Sequence, residues 1–334
     1  MEDLNKATFV GIDAHTREHT ALAITRFEEE KGNLAFENSE DGIAKFLCWL
    51  KRIDSTGNIV VGVEGGGWER TTLLRRLVGS YNHIYDINPL FTKQRRDLGT
   101  KGDKSDIVDA RLIAEVLAKK MDKLPKIIPE ALDTSNIVLK KLVWYYEEIT
   151  EHGARVKNQL GPLVRTRVLA LEKEEKQSLD LIIRLKKAEL KKIQSLQSQL
   201  KPKLSSLIAK SGYGNLTTIT GVSTVLAAKI LAHTGGIERF QKVDKYVKYA
   251  GIAPVERSSG KTRRFIKGNR GNRRLHATFY LVALSQIRWD KKAKGYFEKK
   301  VSEGKTKKHA LRCLIKRIAC ITYGMLKSKE GYRR

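Results

Sequence analysis

Only three of the 334 residues are cysteine, too few for a disulfide framework. Cys313 and Cys320 stand seven apart in a segment of helical spacing, which suits a core better than a metal site. No apolar stretch approaches the roughly 18–20 residues of a membrane span. The first residues lack a signal peptide's charged and apolar regions. The expectation is a reduced, cytoplasmic protein with no membrane partner. Acidic residues are scarce towards the end of the chain: residues 206–334 hold 30 Lys and Arg against 7 Asp and Glu. Residues 126–205 hold 16 against 10, and residues 1–125 hold 19 against 20. No internal repeat is evident.

What is present is a net charge of +28, nearly all of it C-terminal. A neutral first domain and a strongly basic last one fit an acidic catalytic core joined to a polyanion-binding module, with nucleic acid favoured over membrane or acidic protein. The length allows two or three domains. We expect one at 1–125, a helical linker at 126–205 and a third at 206–334, with Pro125 and Pro129 marking the first boundary.

Residues 7–13 read as a strand, Glu18 to Thr25 as its hairpin partner and Asn33 to Phe36 as a third strand. Helical spacing follows over Asp41 to Ile53, then a strand at 59–63, a helix from about Glu69 to Val78, a strand at 81–87 and a helix from Ser105 to about Lys120. This order predicts an α/β, RNase H-like (RuvC-like) N-terminal domain. Ser135 to Leu200 is helical, with a kink or break expected at Gly161-Pro162. Leu179, Ile182, Ile183, Leu190, Ile193, Leu196 and Leu200 form a coiled-coil-like seam that serves equally for packing within the chain or for dimerisation. The last domain is predicted mostly helical. Leu216 to Thr234 resembles either a helix-hairpin-helix element, whose amides hold phosphate without reading sequence, or a plain helix–turn–helix packing unit. A basic helix closes the chain from Lys305 to Lys329.

Four carboxylates stand out. Asp13 ends the apolar run Phe9-Val10-Gly11-Ile12, and Glu64 ends Ile59-Val60-Val61-Gly62-Val63. A carboxylate there is costly unless paired or metal-bound. Asp106 and Asp109, three apart at a helix start, share one face. Such a set can hold two Mg²⁺ ions about 4 Å apart for phosphodiester chemistry. The bland alternative makes each a surface charge or cap, with Ser105 an N-cap and Asp106 a first-turn acid. His15, two residues after Asp13, either joins the acids or, as a lone histidine more often does, plays a structural part.

A second candidate is Ser259, in a Ser-Gly loop beside Ser258. Arg257, Lys261, Arg263, Arg264, Lys267, Arg270, Arg273 and Arg274 surround it in sequence. This shell would bind a DNA strand and stabilise charge at phosphorus beside a serine nucleophile. No histidine follows at triad spacing, so a hydrolase triad is not supported. Phe265, Phe279, Tyr280, Trp289, Tyr296 and Phe297 lie among these cations as candidates for base stacking or for core.

Gly11-Ile12-Asp13, Val63-Glu64, Ile87-Asn88-Pro89, Lys104 to Arg111, Ile219 to Val222, Ala250 to Pro254 and Ser259-Gly260 occur in the order seen in one group. The chain resembles the DEDD transposases of the insertion-sequence one-ten family, relatives of the Piv DNA invertase, over nearly its whole length. The resemblance implies a RuvC-like domain, a coiled-coil linker and a C-terminal transposase domain with a nucleophilic serine. It assigns the four acids to Asp13, Glu64, Asp106 and Asp109 and the serine to Ser259, with Mg²⁺ as cofactor. It also implies donor and target double-stranded DNA, a structured non-coding bridge RNA as guide, assembly of dimers into a tetramer, and strand exchange through a phosphoserine link. The Gly65-Gly66-Gly67 run departs from the Thr-Gly or Ser-Gly usual in relatives. Two other functions compete: a metal-dependent nuclease or junction resolvase using water, and a basic nucleic-acid scaffold without chemistry.

Overall fold

A computed structural model describes residues 5–64, 70–81, 83–97, 105–127, 129–253, 255–259, 262–266 and 271–332. The chain divides into two compact units, Met1–Asp133 and Thr134–Arg334.

The first unit is built on β1 (Thr8–Ala14), β2 (Glu18–Ile24), β3 (Glu30–Glu37), β4 (Ile59–Glu64) and β5 (Ile84–Asp86), in the order β3-β2-β1-β4-β5. The first three strands are antiparallel neighbours, while β4 and β5 run parallel to β1. This mixed sheet is compatible with an RNase H-like domain. Among the described residues, four α-helices accompany it: α1 (Glu40–Ile53), α2 (Arg70–Val78), α3 (Pro89–Asp97) and α4 (Asp106–Lys120). The predicted third strand and the strand at 81–87 were right in place, though β3 is longer and β5 shorter than read. α3 was not anticipated.

Successive side chains of a strand point to opposite faces, and β1 shows the result. Val10 and Ile12 pack with Phe46 and Leu50 of α1 and Leu73 and Leu77 of α2. Phe9 packs on the other face with Ala110, Ile113, Ala114 and Leu117 of α4. Each large aliphatic chain buried in these layers is worth about 1.5–3 kcal/mol. Gly11 has no side chain to hold α4 away, so the helix settles directly on the strand backbone. Asp13, two residues on, shares the α4 face by the same alternation. So does Glu64, which follows Val60 and Gly62 on β4.

The second unit begins with two long helices, α5 (Thr134–Leu169) and α6 (Lys173–Lys210), packed along a seam that includes Ile149, Val156, Leu160, Leu190 and Ile193. Of the kink or break expected at Gly161-Pro162, the break does not occur, and α5 runs through Pro162. Proline removes one helical hydrogen bond, and apolar contacts with α6 continue on the N-terminal side of it at Val156 and Leu160. Then follow α7 (Thr224–Thr234), α8 (Val243–Tyr249), the strands β6 (Val255–Ser259) and β7 (Thr262–Ile266), α9 (Arg273–Trp289), α10 (Lys291–Ser302) and α11 (Lys307–Ser328). α7 is capped by the Ser223 hydroxyl, which accepts from the Leu226 amide. Its core joins α7, α8, α9 and α11 through Ile230, Tyr246, Phe279, Leu314 and Ile318. Among the described residues, no helix is long and apolar enough to cross a membrane.

Candidate active site

The β1–β4 pairing sets Asp13 directly opposite Glu64 on adjacent parallel strands. α4 brings its first turn to the same face. The Ser105 hydroxyl accepts from the Val108 amide at 3.3 Å, so the residue is indeed an N-cap. That fixes where the helix starts, and Asp106 and Asp109 fall in the first turn, where the helix dipole favours negative charge.

The two strand-end acids feel both burial and their acidic neighbours. Burial pushes the Asp13 carboxyl up; the His15 charge opposes this, and Asp109 and Asp106 add to it, leaving it raised. Glu64 is raised too, first by burial and then by Asp13 and Asp109, against a hydrogen bond with Thr92 and the Arg96 charge. Carboxylates that repel one another in a half-buried place are what a cation would relieve. Two nitrogen-bearing side chains already lean in. His15 Nε2 lies 3.1 Å from Asp13 and 3.8 Å from Asp106. Arg96 of α3 is ion-paired with Asp109.

The ligand atoms of Asp13, His15 and Asp106 lie within 4.8 Å of one another, close enough for one metal ion. This geometry favours the alternative in which His15 joins the acids. Its signal was its place in Asp13-Ala14-His15, one residue past the strand end. The donor set of carboxylate oxygens and one imidazole fits a hard divalent cation such as Mg²⁺ or Mn²⁺. Arg96 was missed altogether, because α3 was not foreseen.

In the second unit, Ser259 is the last residue of β6, paired with Thr262 across a hairpin. It therefore ends a strand, where a plain loop was expected. A run of Arg and Thr with β-branched ends (Val255 and Ile266) fits a short antiparallel pair. Ser258 pairs with Arg263, and Arg257 with Arg264. Lys261, Lys267 and Arg270 lie outside the described residues, as do Gly260 and the Gly65-Gly66-Gly67 run. Arg273 is exposed at the start of α9. Arg274 instead turns to the buried Glu147 of α5, donating a hydrogen bond at 2.6 Å. Of the aromatic candidates, Phe279 is wholly buried, while Tyr280 and Trp289 are exposed. Arg317 and Lys300 stand over the Tyr296 ring.

Both parts of the chain match known protein families in sequence. A DEDD-type transposase model matches residues 10–168, across the sheet and all four acids. A second model, described as the Transposase IS116/IS110/IS902 family, matches residues 213–298, across the serine hairpin. The chain is thus of the transposase class. More closely, it belongs to the IS110 transposase family. It is similar to the "Insertion element IS900 uncharacterized 42 kDa protein" of Mycobacterium paratuberculosis, at 35% identity over 35% of this chain and 30% of that protein. The "Insertion element IS116 uncharacterized 44.8 kDa protein" of Streptomyces clavuligerus is 30% identical over 34% of this chain and 29% of its own length. These matches span under a third of either relative. The "Pilin gene-inverting protein" of Moraxella lacunata is 24% identical over 97% of both chains.

Proposed function

We propose that the chain is an RNA-guided DNA transposase and recombinase, which cleaves and exchanges strands through a covalent phosphoserine–DNA link. The observation that carries this is the gathering of Asp13, Glu64, Asp106 and Asp109 on one face of a transposase-family sheet. Asp13, Asp106 and His15, with Glu64 and Asp109 beside them, would hold Mg²⁺, two ions at full occupancy. When bound, such ions neutralise phosphate charge and ease the loss of a hydroxyl proton.

Ser259 is the nucleophile in this reading. Its Oγ forms a bond to phosphorus as the bond to a deoxyribose oxygen breaks, and the leaving oxygen takes up the proton that serine gives up. A second deoxyribose hydroxyl then attacks the phosphoserine, which releases Ser259 and joins the strand to a new partner. No water is consumed. Arg257, Lys261, Arg263, Arg264, Lys267, Arg270 and Arg273 hold the phosphates of donor and target DNA. A relative named for inverting a pilin gene supports strand exchange over simple cutting. The acids and Ser259 belong to separate units, so the reading places them around one phosphate on assembly of a dimer or tetramer in the cytoplasm. The guide RNA rests on the family resemblance.

The test uses the full chain with guide RNA and supercoiled donor and target DNA, and looks for a protein–DNA adduct on denaturing gels. Ser259→Ala abolishes adduct and exchange, and Asp13→Ala does the same by a different route. Mixing the two variants restores some activity if acids and serine come from different copies. One observation favours a second reading, a nuclease or resolvase that uses water: the acid cluster is complete within the first unit. Cleavage that survives Ser259→Ala would establish it.

A further inference from the structure

Among the described residues, β6 and β7 pair with each other and with no third strand. A two-stranded sheet on its own is marginal in water, so its anchorage matters. The described segments that flank it, its two feet at residues 249–251 and 271–272, are tied together. The Asn272 amide donates to the Tyr249 carbonyl at 2.7 Å. Gly271, at φ +116°, lies so close to Gly251 that a Cβ on it would stand 2.6 Å from the Gly251 Cα. The feet close like a clasp.

The clasp is fastened to one buried carboxylate. The Tyr249 hydroxyl donates to the His233 carbonyl at 3.0 Å. The Asn272 side-chain amide donates to the same carbonyl at 3.2 Å and to the Tyr249 hydroxyl at 3.1 Å. His233 Nε2 then meets both Glu147 oxygens, at 3.0 and 3.1 Å. Arg274, two residues past the second foot, reaches Glu147 at 2.6 Å, and Lys229 Nζ lies 3.5 Å away. Glu147 is only 7% exposed. A buried ion cluster is a poor source of stability compared with apolar packing of the same volume. What it supplies is direction, because each hydrogen bond fixes an angle.

We propose that Glu147 is a positioning residue for the Ser259 hairpin: through His233, Tyr249, Asn272 and Arg274 it locks both feet of the hairpin to helix α5. The inference rests on the reading of Ser259 as nucleophile for its purpose, but not for its geometry. Glu147 touches no reacting atom. It determines where the serine stands.

The test measures amide hydrogen exchange of the full-length protein, alongside thermal melting and adduct formation on DNA. In Glu147→Gln, the amides of residues 255–259 and 262–266 exchange about tenfold faster or more, while α11 keeps its protection, as expected for local opening. Adduct yield falls by a similar factor at unchanged DNA affinity. Tyr249→Phe removes one hydroxyl, leaves the ion cluster intact and shows the same change on a smaller scale. Should Glu147→Gln fail to fold, Tyr249→Phe decides alone. Unchanged hairpin exchange in a folded variant overturns the proposal. If Ser259→Ala keeps the adduct, the nucleophile reading fails, and the exchange result still judges the clasp.

Discussion

Gly11 of β1 and Ala110 of α4 meet backbone to backbone, with no room for a methyl group between them. A Cβ on Gly11 would come within 3.0 Å of the Ala110 carbonyl oxygen and the Ala114 amide nitrogen, closer than real Cβ atoms come. This contact sets the height of α4 above the sheet, and with it the distance from Asp106 and Asp109 to Asp13.

Gly11→Ala therefore forces α4 outward. Overpacking of this kind costs about 1–3 kcal/mol. Melting temperature falls accordingly, and calorimetry with Mn²⁺ shows weaker binding, because the helical acids have been lifted from those on the strands.

Arg96 offers a contrasting case. Its guanidinium neutralises Asp109 and competes with any added cation. Arg96→Ala tightens Mn²⁺ binding roughly two- to fivefold, the worth of a partly exposed ion pair. Weaker binding in that variant would show that Arg96 supports the cation site.

Raised carboxyls predict a pH dependence for the metal-free protein. Asp13 and Glu64 bind protons more readily folded than unfolded. Their contribution is thus most favourable below the unfolded pKa and is lost as pH rises through the folded one. Asp13→Asn should melt higher than the parent at pH 7 without metal, with the gain vanishing near pH 4. Divalent ions stabilise the parent and not the variant, which a thermal-shift series can read.

Glu147 works with the opposite sign. Burial pushes its carboxyl up, but hydrogen bonds and charge from His233, with Arg274 and Lys229, outweigh this and hold it at about 2. Its stabilisation is present above the unfolded value of 4.5 and is lost as pH falls from there towards about 2. A shift of this size corresponds to on the order of 3 kcal/mol. Glu147→Gln flattens the denaturant-midpoint profile in that window.

The strands that place Asp13 and Glu64 were legible because each is an unbroken apolar run, ended by one acid. The α4 start was legible because Ser105 and two acids three apart announce it. α3 was not: Pro89-Leu90-Phe91-Thr92-Lys93-Gln94-Arg95-Arg96 has a short, polar pattern, and its one buried residue is Thr92. The hairpin at 255–266 reads as a basic loop, since alternation over five residues is weak beside so many cations. Glu147 left a trace that passed unread. It sits four residues after Val143 and eight after Leu139, both buried, so the helical stripe itself directs a carboxylate inward.

Glu147 also occupies a telling place along α5. The helix continues 22 residues beyond it, to Leu169, which is about 33 Å at 1.5 Å per residue. At that far end Val168, Leu169 and Leu171 are open to solvent. A partner that covers those apolar side chains acts on α5 and α6 as one body, because Ile149, Val156 and Leu160 pack against Leu190 and Ile193 along the intervening length.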